Sequence, residues 1–240
     1  MRIFSGVYWD KGGRTVNQDS ISLQQIMTDR GRVMMAVVSD GIGGLAEGEI
    51  ASGYITEKLT ENFYERMLPL IGRGKGWKAL KRCLLRCLYD INEGLKDYGK
   101  GKVIELGATV SLLLIWKRRY LHMHLGDSRI YLHCGRGFGR RRIRLLTKDH
   151  CVKGGINRCI GSFPFCYPDI GEGRLCGRKG FLLCTDGFYR KMDGEAVGAL
   201  DPDEIKNEEQ IYRRLKEIAG ACLKKGEQDN LSAVYAVVYG

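Results

Sequence analysis

Five aspartates carry most of the chemical promise in this chain. Asp19 closes Arg14-Thr15-Val16-Asn17-Gln18-Asp19, and Asp40 stands in Val37-Val38-Ser39-Asp40-Gly41-Ile42-Gly43-Gly44. Asp127 lies in His124-Leu125-Gly126-Asp127-Ser128-Arg129, Asp186 in Leu182-Leu183-Cys184-Thr185-Asp186-Gly187, and Asp229 in Gln228-Asp229-Asn230-Leu231. A lone Asp-Gly after a strand is ordinary turn chemistry, because both residues favour tight turns. Five such positions, each at the end of a short apolar run, are harder to dismiss. If those runs are strands packed into sheets, their ends bring several carboxylates to one rim. Clustered carboxylates repel unless a proton or a cation neutralises them. Ligand sets made only of oxygen suit hard ions such as Mg²⁺ and Mn²⁺. Gly41, directly after Asp40, lets a backbone carbonyl come near an ion with no side chain in the way.

The elements that must position these residues are legible from periodicity. Val33 to Ser39, Ala108 to Trp116, Tyr120 to Leu125, Ile130 to Cys134, Phe181 to Cys184 and Leu231 to Tyr239 read as strands, being short, apolar and rich in β-formers. Ile3 to Tyr8 and Ser20 to Met27 are weaker members, and Trp116 to Tyr120 reads as a hairpin connection. Three segments read as amphipathic helices. Ile55, Leu59, Phe63 and Met67 recur every four residues; Trp77, Leu80, Leu84, Cys87, Ile91, Leu95 and Tyr98 alternate steps of three and four; Ile211, Leu215, Ile218 and Cys222 form the last. Glycine-rich Gly72 to Gly76 reads as the loop between the first two. Consecutive strands with short connections imply antiparallel sheets with helices in separate layers. No repeat or low-complexity segment suggests a boundary, so residues 1–240 are expected to form one domain.

Composition narrows the class. The 240 residues are 44% hydrophobic and 28% charged, as in ordinary folded soluble proteins. The net charge of +11 favours anionic partners, whether nucleic acid, an anionic membrane or a phosphorylated substrate. No apolar run reaches the roughly 18 residues of a membrane span, and Met1 to Asp10 lacks the apolar core of a signal peptide. Nine cysteines without a C-x-x-C are expected to be free thiols in a reducing cytoplasm.

In order along the chain stand R-x-x-N-Q-D (Arg14 to Asp19), D-G-x-G-G (Asp40 to Gly44), G-A-T (Gly107 to Thr109), G-D-S-R (Gly126 to Arg129), L-T-x-D-H (Leu146 to His150), T-D-G (Thr185 to Gly187) and D-N (Asp229, Asn230). This ordered set resembles the metal-dependent serine/threonine protein phosphatases of type 2C, in their bacterial form. The resemblance implies a four-layer αββα sandwich of the α+β class, two antiparallel sheets face to face with helices outside. It also implies a centre of two Mn²⁺ or Mg²⁺ ions held by Asp19, Asp40, Asp186 and Asp229 with the Gly41 carbonyl. Asp127, with Asp186, matches the position of a third, weaker ion, and Arg14 matches the arginine that grips the substrate phosphate. The implied reaction is attack on phosphoserine or phosphothreonine by a water shared between two metals, without a phosphoenzyme. A counteracting kinase is the implied partner, and a monomer is the default.

The sequence departs from the family pattern in two places. Ile42 fills a position where some relatives carry a histidine proposed as general acid, and isoleucine donates no proton. Only 35 residues lie between His150 and Asp186, so the mobile flap that relatives carry there is trimmed. Lys153 to Arg158 is expected to run almost directly into Cys159 to Gly161. His122 and His124 alternate on one strand and are read as half-buried strand rather than metal ligands. His150 is expected to pair with Asp149, and Ser128 and Arg129 to orient the Asp127 turn. The basic run Gly135 to Arg144 invites a nucleic-acid reading, but a solvated hairpin accounts for it better. The competing functional class is a catalytically weak scaffold that binds phosphoprotein or nucleic acid; the filled ligand positions argue against it.

Overall fold

The computed structural model describes residues 1–42, 45, 47–135, 142–152 and 154–239. Twelve strands appear among them: β1 Arg2–Asp10, β2 Asp19–Thr28, β3 Gly31–Asp40, β4 Val110–Trp116, β5 Arg119–Leu125, β6 Arg129–Cys134, β7 Arg142–Leu145, β8 Cys151–Val152, β9 Gly155–Ile156, β10 Asp169–Arg174, β11 Arg178–Cys184 and β12 Leu231–Tyr239. The helices are α1 Gly48–Asn62, α2 Leu68–Gly72, α3 Trp77–Lys102, α4 Asp186–Tyr189, α5 Gly194–Gly198 and α6 Glu208–Lys224.

One sheet runs β1-β12-β11-β6-β7 and the other β10-β5-β4-β3-β2, every pairing being antiparallel. The apolar runs are continuous because each central strand is covered on both faces, and residue alternation assigns the faces. On β3, Val33, Met35 and Val37 join α1 and α3 in one core. Met34, Ala36 and Val38 join the core between the sheets, where they meet Phe181 and Leu183 of β11 and Val234, Ala236 and Val238 of β12. The far face of β11 and β12, with Leu182, Tyr235 and Val237, packs on Ile211, Leu215 and Ile218 of α6. Helix, sheet, sheet, helix: this is the expected four-layer sandwich. Each fully buried aliphatic or aromatic side chain contributes about 1.5–3 kcal/mol, so these three cores set the frame.

Two expectations are corrected. The stripe at Ile55, Leu59, Phe63 and Met67 is not one regular helix, because α1 gives way to a π-helical turn at Phe63–Met67 before α2. At roughly 100° per residue, an apolar repeat of exact period four drifts about 40° per step around an α-helix. The wider π turn takes up that drift, and all four side chains, with Ile71 beyond them, are fully buried. Four strands also escaped the sequence reading: β7, the two-residue strands β8 and β9, and edge strand β10.

The Trp116 to Tyr120 hairpin forms as expected, with Trp116 opposite Arg119 and Lys117 left-handed at φ 56°. The basic run is a hairpin in that β6 pairs with β7, Cys134 opposite Arg142; its tip, residues 136–141, lies outside the described residues. So do Gly43 and Gly44 of D-G-x-G-G, and Lys153. After His150, β8 pairs with β9, Cys151 opposite Ile156, and Ile160 then pairs with Ala108. Among the described residues no helix is long and apolar enough to cross a membrane.

Candidate metal centre

The sheets converge at one end of the sandwich, and the aspartates gather there. Asp19 opens β2 and Asp40 closes β3, and strand register sets them directly opposite one another. Asp186 begins α4 just after β11, and Asp229 lies two residues before β12. Asp127 sits in the β5–β6 turn, next to left-handed Gly126 at φ 104°.

Hydrogen bonds fix each carrier segment. Thr185 Oγ1 donates to Asp19 Oδ2 at 2.8 Å, joining T-D-G to R-x-x-N-Q-D across the two sheets. Asn230 anchors the same loop, its Oδ1 accepting from Gln18 N at 2.8 Å while its Nδ2 donates to the carbonyls of Lys11 and Val16 at 2.8 and 3.1 Å. G-A-T holds Asp40: Thr109 N donates to the Asp40 carbonyl at 2.8 Å, and Asp40 N donates to Thr109 Oγ1 at 3.0 Å. Ser128 Oγ, from G-D-S-R, lies 2.7 Å from Thr109 Oγ1. Gly41 and Gly187 are demanded by close approach. A Cβ on Gly41 would stand 2.4 Å from the Gly48 carbonyl oxygen, and one on Gly187 2.2 Å from that of Asn230. The motifs are thus one network, and Asn230 is its clearest test. Asn230→Ala strands three backbone groups and should cost about 2 kcal/mol. For a chain of this size that is a fall of roughly 4–8 °C in Tm by calorimetry; an unchanged Tm would show that the anchor is dispensable.

The electrostatics are those of a crowded anionic cluster. Burial, opposed by the Thr185 and Ser232 hydrogen bonds and reinforced by Asp186 and Asp229, pushes the Asp19 carboxyl up to about 7. Burial, then Asp19, Asp186, Asp127 and Asp229, holds Asp40 well above the usual carboxylate range. Burial and Asp186 raise Asp127 to about 6. Asp186 is raised too, by burial and by Asp229 against the countering charge of Arg190. Carboxyls crowded in this way need a proton or a cation between them. Asp19 Oδ1 and Asp127 Oδ1 are buried with no hydrogen-bond partner, which in a native fold calls for a missing ligand. All-oxygen donors with orphaned buried atoms fit a hard divalent cation.

Two arginines stand at the mouth. Arg14 donates from Nε and Nη2 to the two oxygens of Asp229 at 3.1 and 3.2 Å. Arg190 pairs with Asp186 through Nη2 and lies 3.8 Å from Asp229 through Nη1. Among the described residues no three acidic, imidazole or thiol groups already converge as a closed cage; Asp186 and Asp229 are instead drawn toward these guanidinium groups. The sequence reading missed Arg190. Its signal was the i,i+4 spacing from Asp186 on α4, which places both side chains on one helix face.

The surrounding motif residues act in support, with one correction. Asp149 binds Arg129 in a two-point fork at 3.0 and 2.7 Å, and that guanidinium stacks 3.8 Å from the Tyr189 ring centroid. Tyr189 OH donates to the Asp127 carbonyl at 3.0 Å, so Arg129 does brace the Asp127 turn. His150 therefore does not pair with Asp149. It accepts from Gly126 N at Nδ1 and meets Asp169 at Nε2, 3.0 Å away. Arg158 Nη1 closes this corner, 2.8 Å from His150 Nε2 and donating to Asp169 Oδ1 at 3.0 Å. Despite the cost of burial, His150 and Arg158 hold Asp169 below its ordinary value. His124 spends both ring nitrogens on Ser111 Oγ and the Lys148 carbonyl, 3.0 and 3.2 Å away. Burial pushes His122 and His124 down to about 4. They are strand residues, as expected.

A family model described as protein phosphatase 2C matches residues 12–150, more than half of the chain. The chain belongs to the protein phosphatase 2C family. Protein phosphatase PhpP of Streptococcus pneumoniae serotype 2 (strain D39) is 25% identical over 213 residues, covering 80% of this chain and 81% of the relative. A putative protein phosphatase 2C-type of Streptococcus pyogenes serotype M6 is 23% identical over 224 residues, 82% of this chain and 85% of the relative. Among solved structures, serine/threonine phosphatase Stp1 from Staphylococcus aureus superposes with a TM-score of 0.82 at 21% identity, covering 100% of this chain and 96% of that one. The catalytic domain of serine threonine protein phosphatase PstP, in complex with two manganese ions, superposes at 0.76 with 23% identity and 98% coverage of both chains. These likenesses confirm the 2C-type sandwich, and family membership brings metal dependence with it.

Proposed function

We propose that this 2C-family chain is a protein serine/threonine phosphatase, a single catalytic domain in which Asp19, Asp40, Gly41, Asp186 and Asp229 hold two divalent ions, Mn²⁺ or Mg²⁺. The observation that carries the reading is the Asp19–Asp40 pair, directly opposite one another across β2 and β3, with Asp186 and Asp229 near enough to raise both carboxyls. Ions held there supply an activated water and neutralise phosphate charge.

The chain's own groups do the rest. Thr185 fixes one oxygen of Asp19 and leaves the other, Oδ1, without a protein partner. Arg14 spends two of its five N–H donors on Asp229, leaving three for the oxygens of a phosphate. Its side chain is 57% exposed, so a phosphate carried on a bulky protein can reach it. No cysteine is suited to act as nucleophile near the cluster. Cys151 Sγ is 3.7 Å from Asp127, where burial and that carboxylate push the thiol up, and burial keeps Cys184 protonated. Both remain thiols, and the thiolate is the reactive form. Phosphorylated proteins and a counteracting kinase are the partners this reading names, with a cytoplasmic monomer as the working form.

The test is hydrolysis of a phosphothreonine peptide and of p-nitrophenyl phosphate by the full chain. Turnover should require Mn²⁺ or Mg²⁺, disappear with EDTA and return on adding metal. A metal-replete protein that is inert but binds oligonucleotide with a steep salt dependence would overturn it in favour of the scaffold.

A further inference from the structure

Arg190 has no part in the reading above, yet it lies against two of the proposed ligands. It follows Asp186 by one turn of α4, pairs with Asp186 Oδ2, and lies 3.8 Å from Asp229. The Asp186 side chain is only 13% exposed, while Arg190 is 52% exposed. A largely exposed guanidinium thus pairs with a largely enclosed carboxylate. On the same flank, tied to α4 through the Tyr189 hydroxyl, Asp127 presents a buried Oδ1 without a partner. Asp127 and Asp186 are the two carboxylates expected to share a third, weaker ion. An ion shared by Asp127 and Asp186 through Asp186 Oδ2 would have to displace the guanidinium and then sit beside a second positive charge, whereas the two tighter ions can use the other Asp186 oxygen, to which Arg190 makes no hydrogen bond. Guanidinium offers donors only and cannot ligate a metal, and like charges at this range disfavour each other.

We propose that Arg190 is a built-in cation that takes the place of the third metal ion: its guanidinium neutralises Asp186, and the Asp127–Asp186 position holds no divalent ion. The proposal rests on the two-metal reading and concerns only the count beyond it. A side chain tethered one helical turn away is present at every metal concentration, whereas a weak third ion comes and goes with supply. The centre would then need only its two tighter ions.

The experiment counts ions. The full chain, Arg190→Gln, Arg190→Lys, and Arg190→Gln combined with Asp127→Asn are dialysed against graded Mn²⁺ up to the millimolar range at pH 7.5. Bound manganese is measured by mass spectrometry, and folding of each variant is checked by circular dichroism. Arg190→Gln should bind one more ion per chain than the unaltered protein, with millimolar affinity. The double variant should lose that extra ion, and Arg190→Lys, which keeps the charge, should match the unaltered protein. Equal counts in the unaltered chain and Arg190→Gln would overturn the proposal, as would an extra ion that survives Asp127→Asn. Failure of the phosphatase reading looks different, because the unaltered chain would then show no Mn²⁺-dependent phosphopeptide hydrolysis whatever its ion count.

Discussion

Asp40→Asn should leave a folded protein whose phosphopeptide turnover has fallen by at least about 10³-fold. Asparagine keeps the shape, and the backbone N–H of position 40 can still donate to Thr109 Oγ1 as Asp40 does at 3.0 Å. What disappears is the negative charge that draws cations toward Asp19 and Asp186. Metal ions in such sites supply several kcal/mol of transition-state stabilisation, and each 1.36 kcal/mol is worth about tenfold in rate. Stability should move the other way. The Asp40 carboxyl is held well above its ordinary range by burial and by Asp19, Asp186, Asp127 and Asp229, so its ionised form strains the cluster. In EDTA the variant should melt no lower than the unaltered chain. Near-normal turnover by Asp40→Asn, with metal supplied, would remove Asp40 from the site.

The second large effect is on metal affinity as a function of pH. Asp19 titrates at about 7 and Asp127 at about 6, both raised first by burial. A carboxyl raised in the folded state binds its proton more tightly there than in the unfolded chain. Without metal, then, this cluster favours folding most at low pH, and that contribution is lost as pH rises from about 4 through 7. A cation held by Asp19 competes for the same oxygens, so its binding releases a proton below pH 7 and none well above it. The apparent Mn²⁺ affinity should weaken roughly fivefold between pH 7 and pH 6 for a proton displaced from a group that titrates at about 7, and by a further tenfold per pH unit below that. Calorimetric titration in buffers of different ionisation enthalpy would count those protons. An affinity that is flat from pH 5.5 to 7.5 would mean that the carboxyls are already ionised and uncrowded.

Legibility in the sequence followed burial. β3, β4, β11 and β12 were readable because each carries an unbroken apolar stretch covered on both faces, Val33 to Val38 in β3 and Phe181 to Cys184 in β11 among them. β10, Asp-Ile-Gly-Glu-Gly-Arg, carries no such signal. Its glycines make sense only across the sheet: Gly173 lies under the Tyr120 ring and Gly171 under His122, where a Cβ would clash at 2.4 and 2.1 Å. The π turn was hidden for a related reason, since a period of four fits a helix locally and fails only over several turns. At the site, the five aspartates were found through their strand-end positions. The Asp19–Asp40 pairing depends on register, which sequence spacing does not specify. Arg190 looked like one of 39 basic residues until α4 aligned it with Asp186. The choice of Asp169 over Asp149 by His150 turned on Arg129 claiming Asp149 first in space.

The acidic residues are divided between the layers. Asp19 and Asp40 ride on β2 and β3, whereas Asp186 and Asp229 flank β11 and β12 of the opposite sheet. Any ion they share is therefore a rivet through the seam of the sandwich. Heat and chelator would work on the same joint, and saturating metal would make the two halves harder to prise apart.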